Sequence, residues 1–356
     1  MNLSDVIEGL VEERGLDKEK VIEIVCEGIQ TAYAKKFPTV QFYTAFNRKT
    51  GQLEVSVEKT AVANVTDDDT EVSLRKARLI NPQIQQDQKI KVPFEEGVGR
   101  IEILVAKQII ANKIRDLEQM AIFNDFNDRK GAIINGMVHK RERASFVVKI
   151  GEVMALLPKE NIIPNEVVKV GHPIKALLKE VLSVARGDYQ LILDRASSDF
   201  VQKLLELEIP EVFEELVEIK KIVRIPGYKT KAIVASSSKD IDPVGTCVGV
   251  GGARIKPILK ELGQEKIDLI EATDDLETLV RFSLKPAEID KVEIIDEKTA
   301  TVWLSQDQRS YAIGKLGQNI TLASRLVELD IQLQDASPSS NDMAFYADDS
   351  EEESKS

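Results

Sequence analysis

Two short loops bracketed by glycine carry the residue types best suited to binding chemistry in this 356-residue sequence. They are Gly249-Val250-Gly251-Gly252 and Gly314-Lys315-Leu316-Gly317, and each is followed by an amphipathic helical pattern. Glycine at both ends lets the backbone approach a nucleic-acid strand closely, and the N-terminus of the following helix points free N–H groups at phosphate oxygens. The sequence therefore predicts two loops that clamp a single-stranded nucleic-acid backbone.

The two loops differ in charge. Lys315 stands between the glycines of the second loop, where its ammonium group can pair with a phosphate. The first loop has no basic residue inside it, and Arg254 and Lys256 follow it. We therefore expect the first clamp to be the weaker one. The candidate RNA-binding residues at the loops are Gly249, Val250, Gly251, Gly252, Arg254, Lys256, Gly314, Lys315, Leu316, Gly317, Gln318 and Asn319.

Nucleotide-binding fingerprints do not explain these glycines. A dinucleotide-binding turn needs a third glycine, and Arg254 occupies that place in the first loop. No GKS or GKT sequence is present for a phosphate-binding P-loop. A single glycine-bracketed loop can arise by chance, because helices often end in glycine. The prediction of nucleic-acid binding therefore depends on the presence of two such loops in matching contexts.

Each loop belongs to one copy of an internal repeat, 200–277 and 278–335. In both copies two strand-like runs precede the loop, and a helical pattern and a closing strand follow it. The paired runs are Val217–Ile219 with Ala232–Ser236 in the first copy, and Val292–Ile294 with Ala300–Ser305 in the second. Such repetition indicates two similar domains, each holding one glycine loop between two helices.

A small barrel is predicted before the repeat. Five strand-like runs occur in close succession, and the OB fold is the commonest five-stranded barrel that binds single-stranded nucleic acid. The runs are Ala132–His139, Ser145–Ile150, Val153–Leu157, Pro173–Leu182 and Gln190–Asp194. Lys140, Arg141 and Arg143 are predicted in the first hairpin loop, with Phe146 beside them as a stacking ring. These four residues complete the candidate RNA-binding set.

The N-terminal part reads as a mixture of helices and strands. Two helices are predicted within 4–37, the first capped by Ser4 or Asp5 and the second by Asp17. A hairpin follows over 40–57, and further strands are predicted at Val72–Ile80 and Lys89–Phe94. A long helical pattern covers 100–127.

Composition narrows the class of protein. The formal net charge is −12, and only 128–198 is basic, at +4. An acidic total argues against indiscriminate coating of nucleic acid but permits a local RNA site. The cysteines, Cys26 and Cys247, are too few for a disulfide framework, so a reduced, cytoplasmic setting is expected. No apolar run approaches the length of a membrane span.

Catalytic and metal sites are not predicted. The chain has two histidines, His139 and His172, and neither has a partner spaced for catalysis or metal binding. No cofactor is implied. The segment 346–356 is rich in acid and serine and is predicted to be disordered, because it cannot bury enough apolar surface to fold.

The order of these parts resembles the NusA family of bacterial transcription factors. The resemblance covers nearly the whole chain and is most specific at 208–212, 241–249 and 313–324. It implies an α+β multidomain protein. The implied domains are an α/β N-terminal RNA polymerase-binding domain (1–127), a five-stranded OB-fold barrel of the ribosomal S-one type (128–198), two tandem type II KH domains (199–277 and 278–345) and a disordered acidic tail (346–356).

The resemblance also implies a function. Members of this family are non-enzymatic elongation factors that bind RNA polymerase and nascent single-stranded RNA, and they modulate pausing, hairpin-dependent termination and antitermination. Other elongation or antitermination factors and ribosomal proteins are implied as further partners, and the free protein is expected to be monomeric with no membrane partner.

Two alternatives stay open from the sequence. One is an RNA-processing role, because exoribonucleases such as polynucleotide phosphorylase also carry KH and S-one type domains. The other is an RNA-binding role in ribosome assembly. An enzymatic core is not visible in 1–127, which has no metal-ligand cluster, no phosphate-binding glycine loop and no Ser or Cys paired with His.

Overall fold

The computed structural model describes residues 7–9, 11–12, 15–94, 100–238 and 240–335. The chain forms two compact units, 1–125 and 126–356. The predicted caps Ser4 and Asp5 and the predicted disordered tail at 346–356 lie outside the described residues.

The first unit combines helices with a four-stranded sheet. Its elements are α1 (Lys18–Lys36), β1 (Phe42–Asn47), β2 (Gln52–Val62), β3 (Glu71–Ser73), α2 (Leu74–Ile80), β4 (Lys89–Pro93) and α3 (Arg100–Asn127). Strand β2 is antiparallel to β1 and β4 and parallel to β3. Asp17 caps α1 as predicted, because its carboxylate accepts a hydrogen bond from Lys20 N at 3.0 Å.

The prediction of a strand over Val72–Ile80 is wrong. The strand ends at Ser73, whose hydroxyl accepts a hydrogen bond from Lys76 N at 3.4 Å and so caps α2. A short apolar run fits either periodicity, and here the cap selects the helix. The helix buries Ala77 and leaves Leu79 84% exposed.

The second unit begins with a closed five-stranded barrel. Its strands are β5 (Ile133–Arg141), β6 (Ser145–Ile150), β7 (Val153–Pro158), β8 (Pro173–Arg186) and β9 (Tyr189–Asp194). They pair in the order β5-β6-β7-β9-β8, and β8 closes the barrel against β5. These strands were predictable as short strand-like runs at close spacing, and the observed bounds lie within four residues of the predicted ones. The first hairpin loop is shorter than predicted, because β5 continues through Lys140 and Arg141.

Two domains of the same topology follow the barrel. The first contains α4 (Ser198–Glu208), α5 (Pro210–Phe213), β10 (Val217–Ile225), β11 (Lys229–Ser236), α6 (Pro243–Val248), α7 (Ile255–Leu262) and β12 (Lys266–Glu271). The second contains α8 (Leu276–Ser283), β13 (Lys291–Asp296), β14 (Thr299–Leu304), α9 (Arg309–Ile313), α10 (Gln318–Val327) and β15 (Asp330–Asp335). In both, the middle strand pairs antiparallel with the first strand and parallel with the last. This confirms the predicted repeat and its KH topology.

Arg195 joins the barrel to the first KH domain. Its side chain is 2% exposed, and its guanidinium donates to Glu166 in a barrel loop and to Glu261 in α7, with Nη1 2.6 Å from Glu261 Oε1. Ile163 and Leu177 of the barrel share an apolar cluster with the KH helices. Each Å² of apolar surface buried between them contributes about 25 cal/mol of favourable free energy. The barrel and the KH domain therefore stabilise each other.

The two KH domains also share a core. Ile233 and Ile270 lie in the first KH sheet, and they pack into the cluster formed by the second domain. Helix α10 lies against β10 and β11, and Lys221 in β10 pairs with Glu328 after α10 at 2.6 Å. The packing therefore holds the two glycine loops in a fixed spatial relation.

Candidate nucleic-acid interface

Helix α6 directly precedes the first glycine loop. The carboxylate of Asp242 caps it by accepting hydrogen bonds from Val244 N and Gly245 N, both at 3.0 Å. Pro243 follows at the first helical position, where no N–H is needed. Cys247 is buried in this helix, and burial raises the pKa of its thiol to about 11, so it is neutral and unreactive near pH 7.

The first loop needs its glycines for backbone conformation. Gly249, Gly251 and Gly252 have φ values of 73°, 61° and 78°, in the left-handed region that side chains rarely adopt. Val250 stands at the tip and is 96% exposed. The loop therefore presents bare backbone and one small apolar side chain to solvent.

The second loop repeats this path with a different tip. Gly314 and Gly317 both have φ of 72°, and Leu316, in the place of Gly251, has φ of 55°. Leu316 is 87% exposed, and Lys315 is exposed beside it without an ion pair to any described residue. A free ammonium group at a backbone-exposing loop is the arrangement that pairs with phosphate.

A side chain packs beneath the first glycine of each loop. A Cβ at Gly249 would lie 3.0 Å from Cγ of Arg254, and one at Gly314 would lie 2.7 Å from Cβ of Asn319. Both glycines are therefore required by a close contact as well as by φ.

Arg254 is half-buried, and its guanidinium is engaged within the protein; its contact with RNA stays a prediction. Its guanidinium donates to Thr246 O at 2.8 Å and to Glu211 Oε1 at 2.9 Å. The pKa of Glu211 is lowered by a hydrogen bond from its own backbone N–H and also by the Arg254 guanidinium. The sequence suggested a phosphate partner because the arginine follows the loop, whereas the structure pairs its guanidinium with Glu211.

Asn319 is likewise engaged within the protein. It is 2% exposed, and its amide nitrogen lies 3.1 Å from Leu284 O and 3.2 Å from both Tyr311 O and Ala312 O. The burial gives Asn319 partners inside the protein, and its direct contact with RNA stays a prediction. Gln318, beside it at the start of α10, is half-buried.

Lys256 remains available to a ligand at the first loop. It is exposed, and its Cε would lie 3.3 Å from a Cβ at Gly252, so its stem runs along the loop. Together with Lys315 it supplies the free cationic groups that the structure places at the two loops.

The barrel residues form a second, smaller group. Lys140 pairs with Glu142 at 3.0 Å, and Tyr189 donates to the same carboxylate at 2.9 Å. Hydrogen bonds from Lys140 and Tyr189 lower the pKa of Glu142, and the hydrogen bond to Glu142 raises that of Lys140. The ammonium group of Lys140 is thus already paired with a carboxylate of the protein and is less available to a phosphate.

Phe146 is less available than the sequence suggested. It lies in β6, is 7% exposed, and has the guanidinium of Arg141 5.8 Å from its ring centroid. A base could stack there only if Arg141 moved. Arg141 and Arg143 themselves are exposed.

Two tyrosines near the second loop were not predicted. Tyr311 in α9 is 56% exposed. Tyr228 belongs to the hairpin of the first KH domain, yet its hydroxyl would lie 3.4 Å from a Cβ at Gly314. No sequence pattern shows this proximity, because it depends on how the two KH domains pack.

Within the described ranges, no group of three or more His, Cys, Asp or Glu side chains is placed to hold a metal ion. None of the described helices combines the length and apolarity needed to cross a bilayer.

Family models match three parts of the chain. They describe the NusA N-terminal domain at 2–120, the NusA-like first KH domain at 195–272 and the NusA-like second KH domain at 276–341. A solution structure of the N-terminal domain of NusA from Bacillus subtilis is 28% identical, covering 33% of this chain and 96% of its own, with a TM-score of 0.26.

Whole-chain relatives extend the match, and three of them are covered over most of their own length. The transcription termination/antitermination protein NusA of Thermus thermophilus is 34% identical, covering 96% of this chain and 92% of its own. That of Bacillus subtilis is 32% identical over 99% and 95%, and that of Halalkalibacterium halodurans is 34% identical over 94% and 88%. The chain belongs to the NusA family of transcription termination/antitermination proteins.

Proposed function

We propose that this protein is a non-enzymatic elongation factor that binds RNA polymerase through its N-terminal unit and nascent single-stranded RNA through its barrel and two KH domains. The observation that carries the proposal is the pair of exposed glycine loops, held in fixed relation by the shared KH core. Its effects would be on pausing, hairpin-dependent termination and antitermination.

Surface features of the first unit support a protein partner there. Leu79 and Ile80 at the end of α2 are 84% and 48% exposed, and they line an open cavity together with the aromatic residues Phe37, Phe42 and Phe94. Exposed apolar side chains around a cavity are typical of protein–protein contact sites.

Tethering explains how an acidic protein with few free cations can act on RNA. When the N-terminal unit holds the protein on polymerase, the emerging transcript is present at high effective concentration, so a weak RNA site is occupied. RNA held by the two loops would then stabilise a paused complex or a nascent hairpin.

The proposal extends to organisation and setting. The domains are 1–127, 128–198, 199–277, 278–345 and the tail 346–356, with other elongation or antitermination factors and ribosomal proteins as further partners. The protein would act in the cytoplasm and be monomeric when free. In the barrel, Lys140, Arg141, Arg143 and Phe146 stay predicted RNA contacts.

Single-round transcription at a hairpin pause tests the polymerase-dependent part. The comparison is between no factor, the full chain and a chain lacking 1–127. We expect a longer pause with the full chain and none with the truncated chain. An unchanged pause with the full chain would contradict the proposal.

A substitution at the second loop tests the RNA part. Gly317 has φ of 72°, and a Cβ there meets nothing within 4 Å, so Gly317→Asp and Gly317→Asn carry similar backbone strain. Only the aspartate places negative charge against phosphate. We expect Gly317→Asp to bind single-stranded RNA at least about tenfold more weakly than Gly317→Asn, by about 1.4 kcal/mol. Equal affinities at matched salt would show that this loop is not a clamp.

A further inference from the structure

One side chain occupies the same position in both copies of the repeat and makes the same kind of contact. Arg254 and Asn319 each stand five residues after the first glycine of their loop. Arg254 donates to Thr246 O, and Asn319 donates to Tyr311 O, and these two carbonyl groups are also at matching positions. The chemistry of the two side chains differs, but the hydrogen bond is conserved between the copies.

This side-chain hydrogen bond satisfies a backbone carbonyl group that would otherwise lack a partner at the end of the helix before each loop. The last carbonyl groups of a helix have no partner within the helix, and α6 and α9 both end just before a glycine loop. A side-chain donor satisfies these carbonyl groups, so the loop backbone does not have to turn inward to do so. The loop can then keep its left-handed, outward path.

Each of these side chains also ties its loop to the helical segment that precedes the first strand of its own KH domain. In the first domain, Arg254 binds Glu211 in α5. In the second, Asn319 binds Leu284 O, directly after α8. Ile209 and Val212 on either side of Glu211 are buried, which fixes the carboxylate in place.

We propose that Arg254 and Asn319 are positioning residues of the two RNA clamps, and that Glu211 completes the first one by holding Arg254 beneath the loop. The proposal rests on the RNA-binding function proposed above. It gives a structural role to the segment 208–212, which the sequence singled out.

Close packing beneath the glycines couples the positions of Arg254 and Asn319 to the conformation of the two loops. Arg254 Cγ and Asn319 Cβ sit where there is no room for a Cβ on Gly249 or Gly314. A shift of either side chain therefore changes the space under the loop, and the fraction of molecules with a binding-competent loop falls. Apparent affinity falls by the same fraction.

Glu211→Ala distinguishes positioning from direct phosphate contact, because the two roles predict opposite results. If Arg254 binds phosphate, releasing it from Glu211 frees a cation and leaves RNA affinity equal or higher. If it is a positioning residue, the same change loosens the loop, and affinity falls by about threefold to tenfold. The probe is a fluorescein-labelled RNA of alternating C and A bases, titrated with the full chain over a range of salt concentrations.

Glu214→Ala is the matched control. Glu214 is an exposed carboxylate at the end of α5 that pairs with no cation in the described part of the chain, so its removal changes the charge equally. We expect its affinity to equal or slightly exceed that of the parent. The positioning role also predicts that the salt dependence of Glu211→Ala stays that of the parent, since no phosphate contact is lost. Unchanged or higher affinity in Glu211→Ala would overturn the proposal.

Backbone amide exchange gives a readout that does not depend on RNA. We expect exchange over 244–256 to quicken in Glu211→Ala but not in Glu214→Ala, and exchange over 311–320 to quicken in Asn319→Ala but not in Gln318→Ala. Parent-like exchange in Glu211→Ala and Asn319→Ala would refute the positioning role. If the parent chain fails to bind the RNA, the proposed RNA function fails, and the exchange rates still decide whether these residues hold the loops.

Discussion

Val250 and Lys315 are the residues at which the two loops differ most in charge. They occupy the same position of the repeat, and both are exposed. We expect Val250→Lys to strengthen RNA binding, because it adds to the first loop the cation that the second already has. For single-stranded RNA, one added phosphate contact should steepen the dependence of log K on log salt by about 0.7.

Val250→Gln is the control for this change, since it makes the tip polar without adding charge. Fluorescence anisotropy with a single-stranded RNA at several salt concentrations gives both affinity and slope. If Val250→Lys and Val250→Gln bind alike at low salt, the first loop does not approach the phosphates.

The residues of the site were predictable where the backbone itself determines the role. The glycines at 249, 252, 314 and 317 follow from the need for positive φ, which is a local property. The ion pair of Arg254 and the burial of Asn319 were not predictable, because they depend on acceptors far away in sequence, such as Glu211 and Leu284 O. The direction in which a side chain points depends on tertiary contacts, and the spacing of residues along the sequence does not determine it.

At the scale of elements, the short helix α6 depends on its cap. It has six residues, too few to be stable alone, and Asp242 satisfies two of its free N–H groups. We expect Asp242→Ala to lower the free energy of unfolding by about 1 kcal/mol and to weaken RNA binding through the first loop.

Asp242→Ser supplies the comparison, because serine also caps helices well. Urea unfolding followed by circular dichroism measures the stability difference between the two variants. An alanine variant as stable as the serine variant would mean that packing around Pro243 and Cys247, and not the cap, holds the helix.

Helices and strands were predictable where the pattern of apolar residues favoured one kind of secondary structure over the other. The barrel strands are short apolar runs at close spacing and were placed to within four residues, and α1 and α3 fall where the long apolar patterns predicted them. Residues 74–80 became a helix because one hydroxyl, that of Ser73, caps a run whose periodicity was ambiguous. Strand β5 runs past its predicted end because it pairs through an irregularity between Val138 and Lys140, which places Arg141 opposite Phe146.

At the scale of the whole molecule, buried ion pairs stand where the parts of the second unit meet. Arg195 links barrel to KH domain, and Lys231 stands where the first KH domain meets the second. The side chain of Lys231 is 0% exposed, with Nζ 2.9 Å from Asp268 Oδ2 and 3.4 Å from Lys285 O. Sequence shows none of these pairings, because their partners lie between 29 and 66 residues apart.

The Lys231–Asp268 pair should make the stability of this unit depend on pH. Burial opposes ionisation of Asp268, but the charge of Lys231 and hydrogen bonds from Lys229 and Lys231 prevail, so its pKa falls below the ordinary 3.8. A carboxyl group with a lowered folded-state pKa stabilises the fold fully above its unfolded value, and that stabilisation is lost as pH falls through the folded value. Burial lowers the pKa of Lys231, so an unpaired Lys231 would release its proton more readily in alkali.

We therefore expect Asp268→Asn to cost about 3 kcal/mol at neutral pH, because it leaves a buried ammonium group without its carboxylate. The difference from the parent should shrink as pH falls below the ordinary carboxyl value of 3.8 and through the lowered pKa of Asp268, and again in alkali, where Lys231 can become neutral. Denaturant unfolding of both proteins across this pH range is the measurement. Lys291–Glu293, an exposed pair at 2.9 Å, gives the control variant Glu293→Gln, which should cost less than about 1 kcal/mol. A cost for Asp268→Asn that is the same at every pH would show that packing, and not charge, holds the two KH domains together at this point.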